Sequence, residues 1–465
     1  MNKLNIYQLR RNELAKQIFA KTGGGIAVIS TAPEIARNRD SEFPYRHDSD
    51  FYYLTGFEEP GATLVMKVDS DGKNFQLQSH LFCRPKDPER EIWDGIRLGP
   101  EAAPEILGIE YAHSNQGLDQ KLGELLADQD AVYVRLAESA EADRRLRHWM
   151  KQVRRQARSG VNPPSEFHDI EALIHEMRLF KDGHEIDIMR RAAAISARAH
   201  IRAMQICKPG MREYQLEAEL LHEFRNSGAQ SVAYNSIVAG GANSCILHYR
   251  AGSTELRSGE LCLIDAGCEL DGYASDITRT FPVNGKFTGP QRALYDITLA
   301  AQEAAIAMTK PGNTFMQPHE AALKVLTQGL LDEKLLKLTD LGSLENAIET
   351  GAYRRFDMHR TSHWLGMDVH DVGSYRETSH ESSSEDKPWR VLKSGMVITI
   401  EPGLYVRPAD DVDEKFWNIG IRIEDDAILN NSGCELISRG VPVKADEIEA
   451  LMKNSWTNLI ANELI

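Results

Sequence analysis

The apolar positions of the first 175 residues alternate between helical and strand-like spacing. An amphipathic pattern predicts a helix over residues 6–22, and the glycines at 23–25 end it. Residues 26–29 form an apolar run typical of a buried strand, and further strands are predicted over residues 63–68, 78–84 and 131–135. A highly charged pattern over residues 138–155 predicts a helix with a solvated face. This alternation favours an α/β domain over residues 1–175.

The pattern changes near residue 176, where an internal repeat begins. An apolar stripe predicts a helix that ends at the Lys-Pro-Gly sequence 208–210, a second helix covers residues 214–224, and strand-rich sequence continues to residue 283. The same order then recurs, with a helix over 291–308, a second Lys-Pro-Gly at 310–312, a helix to residue 331 and strands to residue 429. We interpret this as a duplicated α+β unit of about 100 residues, folded about a pseudo-two-fold axis with a cleft between equivalent strands. The predicted domains are 1–175 and 176–445, followed by a C-terminal tail at 446–465.

Length and composition fit a globular protein of two domains. The chain has 465 residues, of which 42% are apolar and 26% are charged, and it is longer than one compact core normally allows. No apolar run approaches the roughly 20 residues that span a bilayer, and the first residues lack the apolar core of a signal peptide. The six cysteines show no CxxC or disulfide-framework spacing. These features predict a cytoplasmic protein with no membrane partner, and the net charge of −15 argues against a nucleic-acid partner.

Two aspartates lie on either side of a predicted hairpin turn. Residues 261–267 and 273–281 are strand-like and bracket the turn sequence Glu-Leu-Asp-Gly at 269–272. A loop at residues 270–271 places Asp265 directly opposite Asp276, whereas a loop at 271–272 makes them diagonal neighbours on the same face. In either register the two carboxylates are within reach of one metal ion.

Two glutamates form a second acidic pair. Glu401 follows the apolar run 396–400 and precedes Pro-Gly, and Glu424 ends the sequence Gly-Ile-Arg-Ile-Glu at 420–424. Strand alternation puts Arg422 and Glu424 on the same face. The arginine either orients this carboxylate or pairs with it, and both can hold.

Histidines concentrate between residues 358 and 371. His359 and His363 have the i, i+4 spacing of HExxH zinc helices, but Arg360 occupies the position of the glutamate base, which excludes that class. His370 lies nearby, and His248 occupies a similar place in the first repeat. One imidazole among four carboxylates is a ligand set that suits a pair of hard divalent ions such as Mn²⁺. Two such ions can activate water and clamp a tetrahedral intermediate, so the sequence predicts a hydrolase.

Five ordered motifs resemble those of the pita-bread metallopeptidases. They are Asp-Ala-Gly at 265–267, Asp-Ile-Thr-Arg-Thr at 276–280, the segment from His363 to Asp371, Glu-Pro-Gly at 401–403 and Gly-x-Arg-x-Glu at 420–424. Within that group, Pro-Tyr-Arg at 44–46, the aromatic segment 50–57 and Glu-Ile-Trp at 91–93 resemble the bacterial Xaa-Pro aminopeptidases, also called aminopeptidase P. The match runs over nearly the whole chain. One departure is Arg360, where glycine is more usual.

The resemblance implies a fold, an activity and a set of metal ligands. The fold would be α+β, with a pita-bread catalytic domain preceded by an α/β N-terminal domain. The activity would be release of the first residue from peptides with proline in the second position, with a hydroxide that bridges two divalent ions as the nucleophile. Asp276 and Glu424 would bridge the ions, Asp265 would complete one site, and His363 with Glu401 would complete the other.

The resemblance also implies a catalytic group, which consists of His248, His359, His370, Glu401 and Arg422. The histidines would hold the peptide and stabilise the oxyanion, Glu401 would carry a proton to the departing proline nitrogen, and Arg422 with Tyr405 would support the site. Related enzymes are oligomers, which implies a dimer or tetramer in which Asp40 and Trp93 reach a neighbouring subunit's site. The alternative is that Trp93 packs locally.

Three rival functions compete with this interpretation. A prolidase shares all five metal ligands but cleaves only Xaa-Pro dipeptides, and the N-terminal motifs favour aminopeptidase P over it. A non-catalytic binding protein on the same fold is expected to lack ligands. A creatinase-like hydrolase works without metal, and it is disfavoured because all five ligands are present.

Overall fold

The computed structural model describes residues 3–377 and 387–454. The chain divides into two compact units with the boundary between Met177 and Arg178, next to the boundary predicted from the sequence. Residues 455–465 of the predicted tail lie outside the described part. Among the helices that the structure describes, none combines the length and the apolar character needed to cross a membrane.

The N-terminal unit is built on one six-stranded mixed sheet. Its strands are β1 Gly25–Ser30, β2 Thr63–Ser70, β3 Phe75–Cys83, β4 Tyr111–Ser114, β5 Ala131–Val134 and β6 Glu166–Asp169, in spatial order β4-β3-β2-β1-β5-β6. Its helices are α1 Lys3–Thr22, α2 Ser49–Thr55, α3 Pro88–Asp94, α4 Gly99–Leu107, α5 Leu118–Leu125, α6 Ala140–Arg154 and α7 Glu171–Leu179, the last of which crosses the boundary. The four predicted strands and the two predicted helices are therefore confirmed, with ends shifted by a few residues.

Helix α6 has the solvated face that its charge predicts, and it also has a buried side. Trp149 and Val153 are buried in the core of the N-terminal unit together with Val28 and Phe82. The indole of Trp149 also donates a hydrogen bond from Nε1 to Asp119 Oδ1 at 2.7 Å. A narrow apolar stripe is enough to dock a helix on a sheet, and the many charges on the other face hide that stripe in the sequence.

Two pairs of long helices recur in the second unit. The first pair is α8 Gly183–Ile206 and α9 Glu213–Asn226, and the second, after an intervening strand segment, is α10 Gly289–Met308 and α11 Gln317–Asp332. The first helix of each pair begins at a capping box, formed on Asp182 or Thr288. A Pro-Gly turn separates the helices of each pair, and Gly210 and Gly312 have φ values of +92° and +90°, which favour glycine. The predicted repeat is confirmed, stop signals included.

Short strands follow each helix pair. The first segment contributes β7 Ser231–Val232, β8 Ile237–Gly240, β9 Leu261–Asp265, β10 Cys268–Leu270, β11 Tyr273–Ala274 and β12 Thr278–Pro282. The short helices α12 Leu338–Leu341 and α13 Leu344–Glu349 precede β13 Val397–Ile400, β14 Gly403–Val406, β15 Ile419–Arg422, β16 Asp425–Leu429 and β17 Cys434–Leu436. Every residue of β9, β12, β13 and β15 is buried. Charged side chains carried on these strands are therefore desolvated.

The beginning of the predicted tail is part of the second unit. Helix α14 Ala445–Met452 buries Ile448 completely. Glu449 on this helix accepts hydrogen bonds from the backbone N–H of Phe287 at 3.1 Å and from Lys286 Nζ at 2.6 Å. These contacts fix α14 beside the start of α10.

Candidate active site

The β10–β11 hairpin sets the register of the two aspartates. Its strands pair so that Asp271 and Gly272 form a two-residue turn. Their φ values are +49° and +79°, and a type I′ turn requires positive φ at both positions. The same register pairs Asp265 with Thr278 across β9 and β12. Asp276 is therefore the diagonal neighbour of Asp265, which is one of the two registers that the sequence leaves open.

Tyr234 holds the two aspartates together. Its hydroxyl is hydrogen bonded to Asp265 Oδ1 at 2.6 Å and also to Oδ1 of Asp276. The backbones of the two strands approach closely beside these carboxylates, because a Cβ on Gly267 would lie 1.7 Å from the Ser275 carbonyl oxygen. Glycine at position 267 is therefore a steric requirement of the paired aspartates.

Threonines orient the two glutamates. The backbone N–H of Glu401, which follows β13, donates to the Thr361 carbonyl at 2.7 Å, and Thr399 Oγ1 lies 3.4 Å from Glu401 Oε1. Glu424 Oε2 accepts a hydrogen bond from Thr278 Oγ1 at 2.6 Å. One carboxylate oxygen of each glutamate is thus hydrogen bonded to a threonine hydroxyl.

His363 presents one ring nitrogen to the carboxylates. Its Nδ1 lies 2.9 Å from the Trp364 carbonyl oxygen, which makes Nδ1 the donor and turns Nε2 towards the carboxylates, where it can bind a metal ion in place of its proton. Nε2 lies 3.4 Å from Asp276 Oδ2 and 3.5 Å from Glu401 Oε1. Burial favours the neutral ring, but the hydrogen bond to Asp276 and the charge of Glu401 outweigh it and raise the pKa of His363 to about 9. The segment around His363 is not helical, in agreement with the exclusion of the HExxH class.

The four carboxylates are buried close together, and this shifts their pKa values. Burial, reinforced by the neighbouring acidic groups, raises the pKa of Glu424 well above its ordinary value. Burial also raises the pKa of Asp276 and brings that of Glu401 to about 7. Burial acts in the same direction on Asp265, but the guanidinium of Arg422 outweighs it and lowers the pKa. A group of buried acids that resists ionisation is stabilised by added positive charge, which divalent cations supply.

A chain of hydrogen bonds runs from Asp265 to His359. Arg422 Nη2 donates to Asp265 Oδ2 at 2.5 Å, and Nη1 donates to the Tyr405 hydroxyl at 2.8 Å. That hydroxyl lies 2.8 Å from His359 Nε2, while Nδ1 of the same ring lies 2.9 Å from the Arg360 carbonyl oxygen. Burial and the charge of Arg422 lower the pKa of His359 to about 4. The ring is therefore neutral. It donates a hydrogen bond through Nδ1 and accepts one from the Tyr405 hydroxyl at Nε2.

All the predicted site residues meet in one cavity of about 480 Å³, a size typical of small-ligand sites. The five predicted metal ligands that line it are Asp265, Asp276, His363, Glu401 and Glu424. The same cavity is lined by His248, His359, His370, Arg360, Arg422 and Tyr234. Residues far apart in the sequence thus form a single site within the second unit.

A buried ion-pair cluster supports the segment that carries His370. Asp371 Oδ1 accepts from Arg178 Nη2 at 2.6 Å, and Oδ2 accepts from Lys181 Nζ at 2.9 Å. All three side chains are buried. The ring of His370 lies 4.2 Å from that of His363, measured between centroids. The cluster therefore holds His370 beside the candidate metal ligand.

Several contributors to the site were missed by sequence reasoning. Tyr234 lies in a short loop between β7 and β8 and has no motif that marks it. Thr278 could have been found, because it lies two residues after Asp276 in an extended segment and faces the same side. No local sequence pattern marks Arg178 and Lys181, because they contact Asp371 across about 190 residues of sequence.

The donor set fits divalent metal ions. Asp276, His363 and Glu424 each offer one ligand atom, and these atoms lie within 4.8 Å of one another. The other two predicted ligands line the same cavity. Oxygen donors with one imidazole suit hard or borderline divalent ions.

Comparison with known proteins decides the family. The pattern of metallopeptidase family M24 matches residues 187–431, which is more than half of the chain. The chain belongs to metallopeptidase family M24. The aminopeptidase P N-terminal domain matches residues 7–133 of this M24 enzyme. The predicted enzyme class and the predicted fold class, an N-terminal domain followed by a pita-bread domain, are confirmed.

Full-length relatives support the same assignment for the M24 enzyme. It is 45% identical to the Xaa-Pro aminopeptidase of Escherichia coli over 446 residues, which covers 96% of this chain and 97% of the relative. It is 34% identical to human Xaa-Pro aminopeptidase 3, over 96% of this chain and 85% of the relative. The solved structure of Pseudomonas aeruginosa aminopeptidase PepP is similar, with a TM-score of 0.90, 46% identity, and coverage of 97% and 98%. Zinc-substituted E. coli aminopeptidase P in complex with product gives a TM-score of 0.91, 45% identity, and coverage of 97% and 98%.

Proposed function

We propose that this M24 enzyme is an Xaa-Pro aminopeptidase, which removes the first residue of a peptide whose second residue is proline. The observation that carries the proposal is the convergence of four carboxylates and one imidazole on a single cavity. Support also comes from full-length relatives named Xaa-Pro aminopeptidases. The experiment that tests it is an assay of proline peptides against matched peptides without proline.

Two divalent ions, which we propose to be Mn²⁺, would polarise the scissile carbonyl and activate water for attack. Asp276 and Glu424 would bridge them, Asp265 would complete one site, and His363 with Glu401 would complete the other. The central position of Asp276 supports this arrangement, since its carboxylate shares Tyr234 with Asp265 and also faces Nε2 of His363.

The remaining groups would handle the peptide and its protons. The nitrogen of an Xaa-Pro bond belongs to a tertiary amide and must gain a proton to leave, and Glu401 would deliver it. His248 and His370 line the cavity and would hold the peptide and the developing oxyanion. Both ring nitrogens of His359 are engaged, so it would act through Tyr405 and Arg422.

Selection for proline would rest on shape, because a tertiary amide offers no N–H to recognise. Apolar side chains also line the cavity, namely Ile237, Leu247 and Val369. They would accommodate the pyrrolidine ring by contact and exclusion of water. We therefore expect proline to be selected through kcat/KM rather than through one hydrogen bond.

The test compares an Xaa-Pro-Pro tripeptide, an Xaa-Pro dipeptide and an Xaa-Ala-Pro tripeptide on enzyme that has been stripped of metal and reloaded with Mn²⁺. We expect cleavage of the Xaa-Pro-Pro peptide only after reloading, and weak cleavage of the alanine peptide. Equal cleavage with alanine would refute the proline specificity. Exclusive cleavage of the dipeptide would identify a prolidase instead.

We also propose that the enzyme is a cytoplasmic homo-oligomer, a dimer or tetramer. Three apolar side chains on and after α3 are exposed, with Ile92 at 81%, Trp93 at 84% and Ile96 at 86%. Trp93 therefore does not pack locally, which supports contact of Trp93 and Asp40 with another subunit. Sedimentation of a fully active monomer would contradict this proposal.

A further inference from the structure

Two arginines at the cavity carry charges that no acidic group among the described residues pairs with in a salt bridge. Arg250 and Arg360 line the cavity, and both are exposed. Within residues 3–377 and 387–454, neither guanidinium forms a salt bridge. Arg422, the third arginine of the cavity, is instead buried and committed to Asp265 and Tyr405. The two exposed guanidinium groups are therefore available to a bound molecule.

Arg376 packs over the ring of Trp389 at 3.3 Å from its centroid, and Arg360 contacts the same ring. The guanidinium carbon of Arg360 lies 5.2 Å from the ring centroid of Trp389, a distance that allows a cation–π contact. Trp389 packs in turn near the buried ring of Phe315, with 6.4 Å between centroids. An arginine held against an indole keeps its planar donor edge free and loses less conformational entropy when it binds an anion.

Among residues 3–377 and 387–454, the groups around Arg360 include no acidic partner in a salt bridge with it. His319, on α11, is kept neutral because burial and the charge of Arg360 lower its pKa to about 4. The four carboxylates of the cavity are less exposed than Arg360 and would be neutralised by the proposed metal ions. An anionic group on the substrate is what this arrangement would attract. An aminopeptidase admits one residue before the scissile bond, so with a neutral first residue the anion must lie beyond it.

We infer that Arg360 is a specificity-determining residue that binds a carboxylate carried by the peptide downstream of the scissile bond. The inference rests on the proposed aminopeptidase function. The carboxylate is either the C-terminal group of a short peptide or an acidic side chain after proline. In both cases the guanidinium offers paired N–H donors that match a carboxylate.

The test measures kcat/KM for three peptides that share a neutral first residue and proline: Xaa-Pro-Ala, its C-terminal amide, and the amide of Xaa-Pro-Asp. Arg360→Gln, which keeps length and polarity but removes the charge, is compared with the wild type. We expect the variant to cleave Xaa-Pro-Ala amide normally. Its preference for a carboxylate-bearing peptide over that amide should fall roughly three- to tenfold, as for a partly exposed ion pair.

The three peptides distinguish the two possible sources of the carboxylate, and the control variants distinguish a specific effect of Arg360 from a general effect of charge. A loss confined to the free acid identifies the C-terminus, and a loss confined to the aspartyl amide identifies a side chain. Arg360→Lys should retain part of the preference because it keeps the charge but not the planar fork. Arg250→Gln is the matched control, and an equal loss there would reduce the effect to general charge and overturn the inference. An unchanged preference in Arg360→Gln would also overturn it, whereas a wild type that cleaves no Xaa-Pro peptide would refute the proposed function instead.

Discussion

The loop that carries His248 is held by one buried carboxylate, and replacing it tests how the site is positioned. Glu213, the first residue of α9, is completely buried. Its Oε1 accepts from the backbone N–H of Gly240 and from Asn243 Nδ2, both at 2.9 Å. Its Oε2 accepts from the Tyr249 hydroxyl at 2.9 Å and from the backbone N–H of Gly252 at 3.0 Å. One side chain thus closes residues 240–252 into a defined loop.

The variant Glu213→Gln removes two of these four hydrogen bonds. An amide nitrogen replaces one oxygen, so two donors face a group that cannot accept from them. A buried donor without a partner costs about 1–3 kcal/mol. The Tyr249 hydroxyl can rotate and accept from the new amide, which leaves one unpaired donor, so we expect a loss of about 1–3 kcal/mol in the free energy of unfolding of the second unit. Chemical denaturation followed by circular dichroism measures this loss.

Kinetics on the same variant separate loop position from general stability. We expect kcat/KM to fall in Glu213→Gln at temperatures where the protein is fully folded. In a His248→Ala background the further effect of Glu213→Gln on kcat/KM should largely disappear, because the carboxylate acts through the loop that presents this histidine. Glu217→Gln on the same helix is the control and should leave both measurements unchanged. Fully additive losses, or unfolding unaffected by Glu213→Gln, would refute the reasoning.

Three further predictions follow from the geometry. Asp276→Ala should remove bound metal and activity together, as measured by elemental analysis and the tripeptide assay, and a metal-free variant of full activity would disprove the ligand assignment. Gly267→Ala places a methyl group 1.7 Å from a carbonyl oxygen and should destabilise the protein by more than about 3 kcal/mol in thermal unfolding, whereas Gly289→Ala, with no atom within 4 Å, should not. Burial, together with the neighbouring His113, lowers the pKa of His80 to about 4, so the unfolded state binds more protons between pH 6.5 and 4. The contribution of His80 to the free energy of unfolding should therefore be fully present above about pH 6.5. It should fall by about 2 kcal/mol as the pH decreases towards 4. His80→Asn should lose this dependence in unfolding measured across that range, and an identical pH profile would contradict the assignment.

The sequence predicts most of the fold because its signals are local. Pro-Gly turns, capping residues and apolar stripes act within a few positions, and each marks the end or the buried face of one element. The buried side of α6 shows what this approach misses, since the few apolar residues of this helix are outnumbered by charges. Their burial depends on the sheet beneath them, which local composition does not report.

The proposed metal ligands of the candidate site can be predicted from the sequence, whereas the groups that hold them in place cannot. The acids stand out because charges at the ends of apolar strands conflict with the surrounding pattern. The sequence allows two loops, and therefore two registers for the paired aspartates. The positive φ values of the turn at residues 271–272 decide between them. Tyr234 and the cluster around Asp371 depend on contacts between distant segments, which a single sequence does not reveal.

The repeat in the second unit divides the ligands between its halves. Asp265 ends β9 and Asp276 immediately precedes β12, both after the first helix pair, whereas His363, Glu401 and Glu424 lie in the segments before and between the strands that follow the second pair. Neither half therefore supplies all five proposed ligands on its own. The second half holds three of the five and the first half two, so the site is complete only when both copies of the repeat fold together.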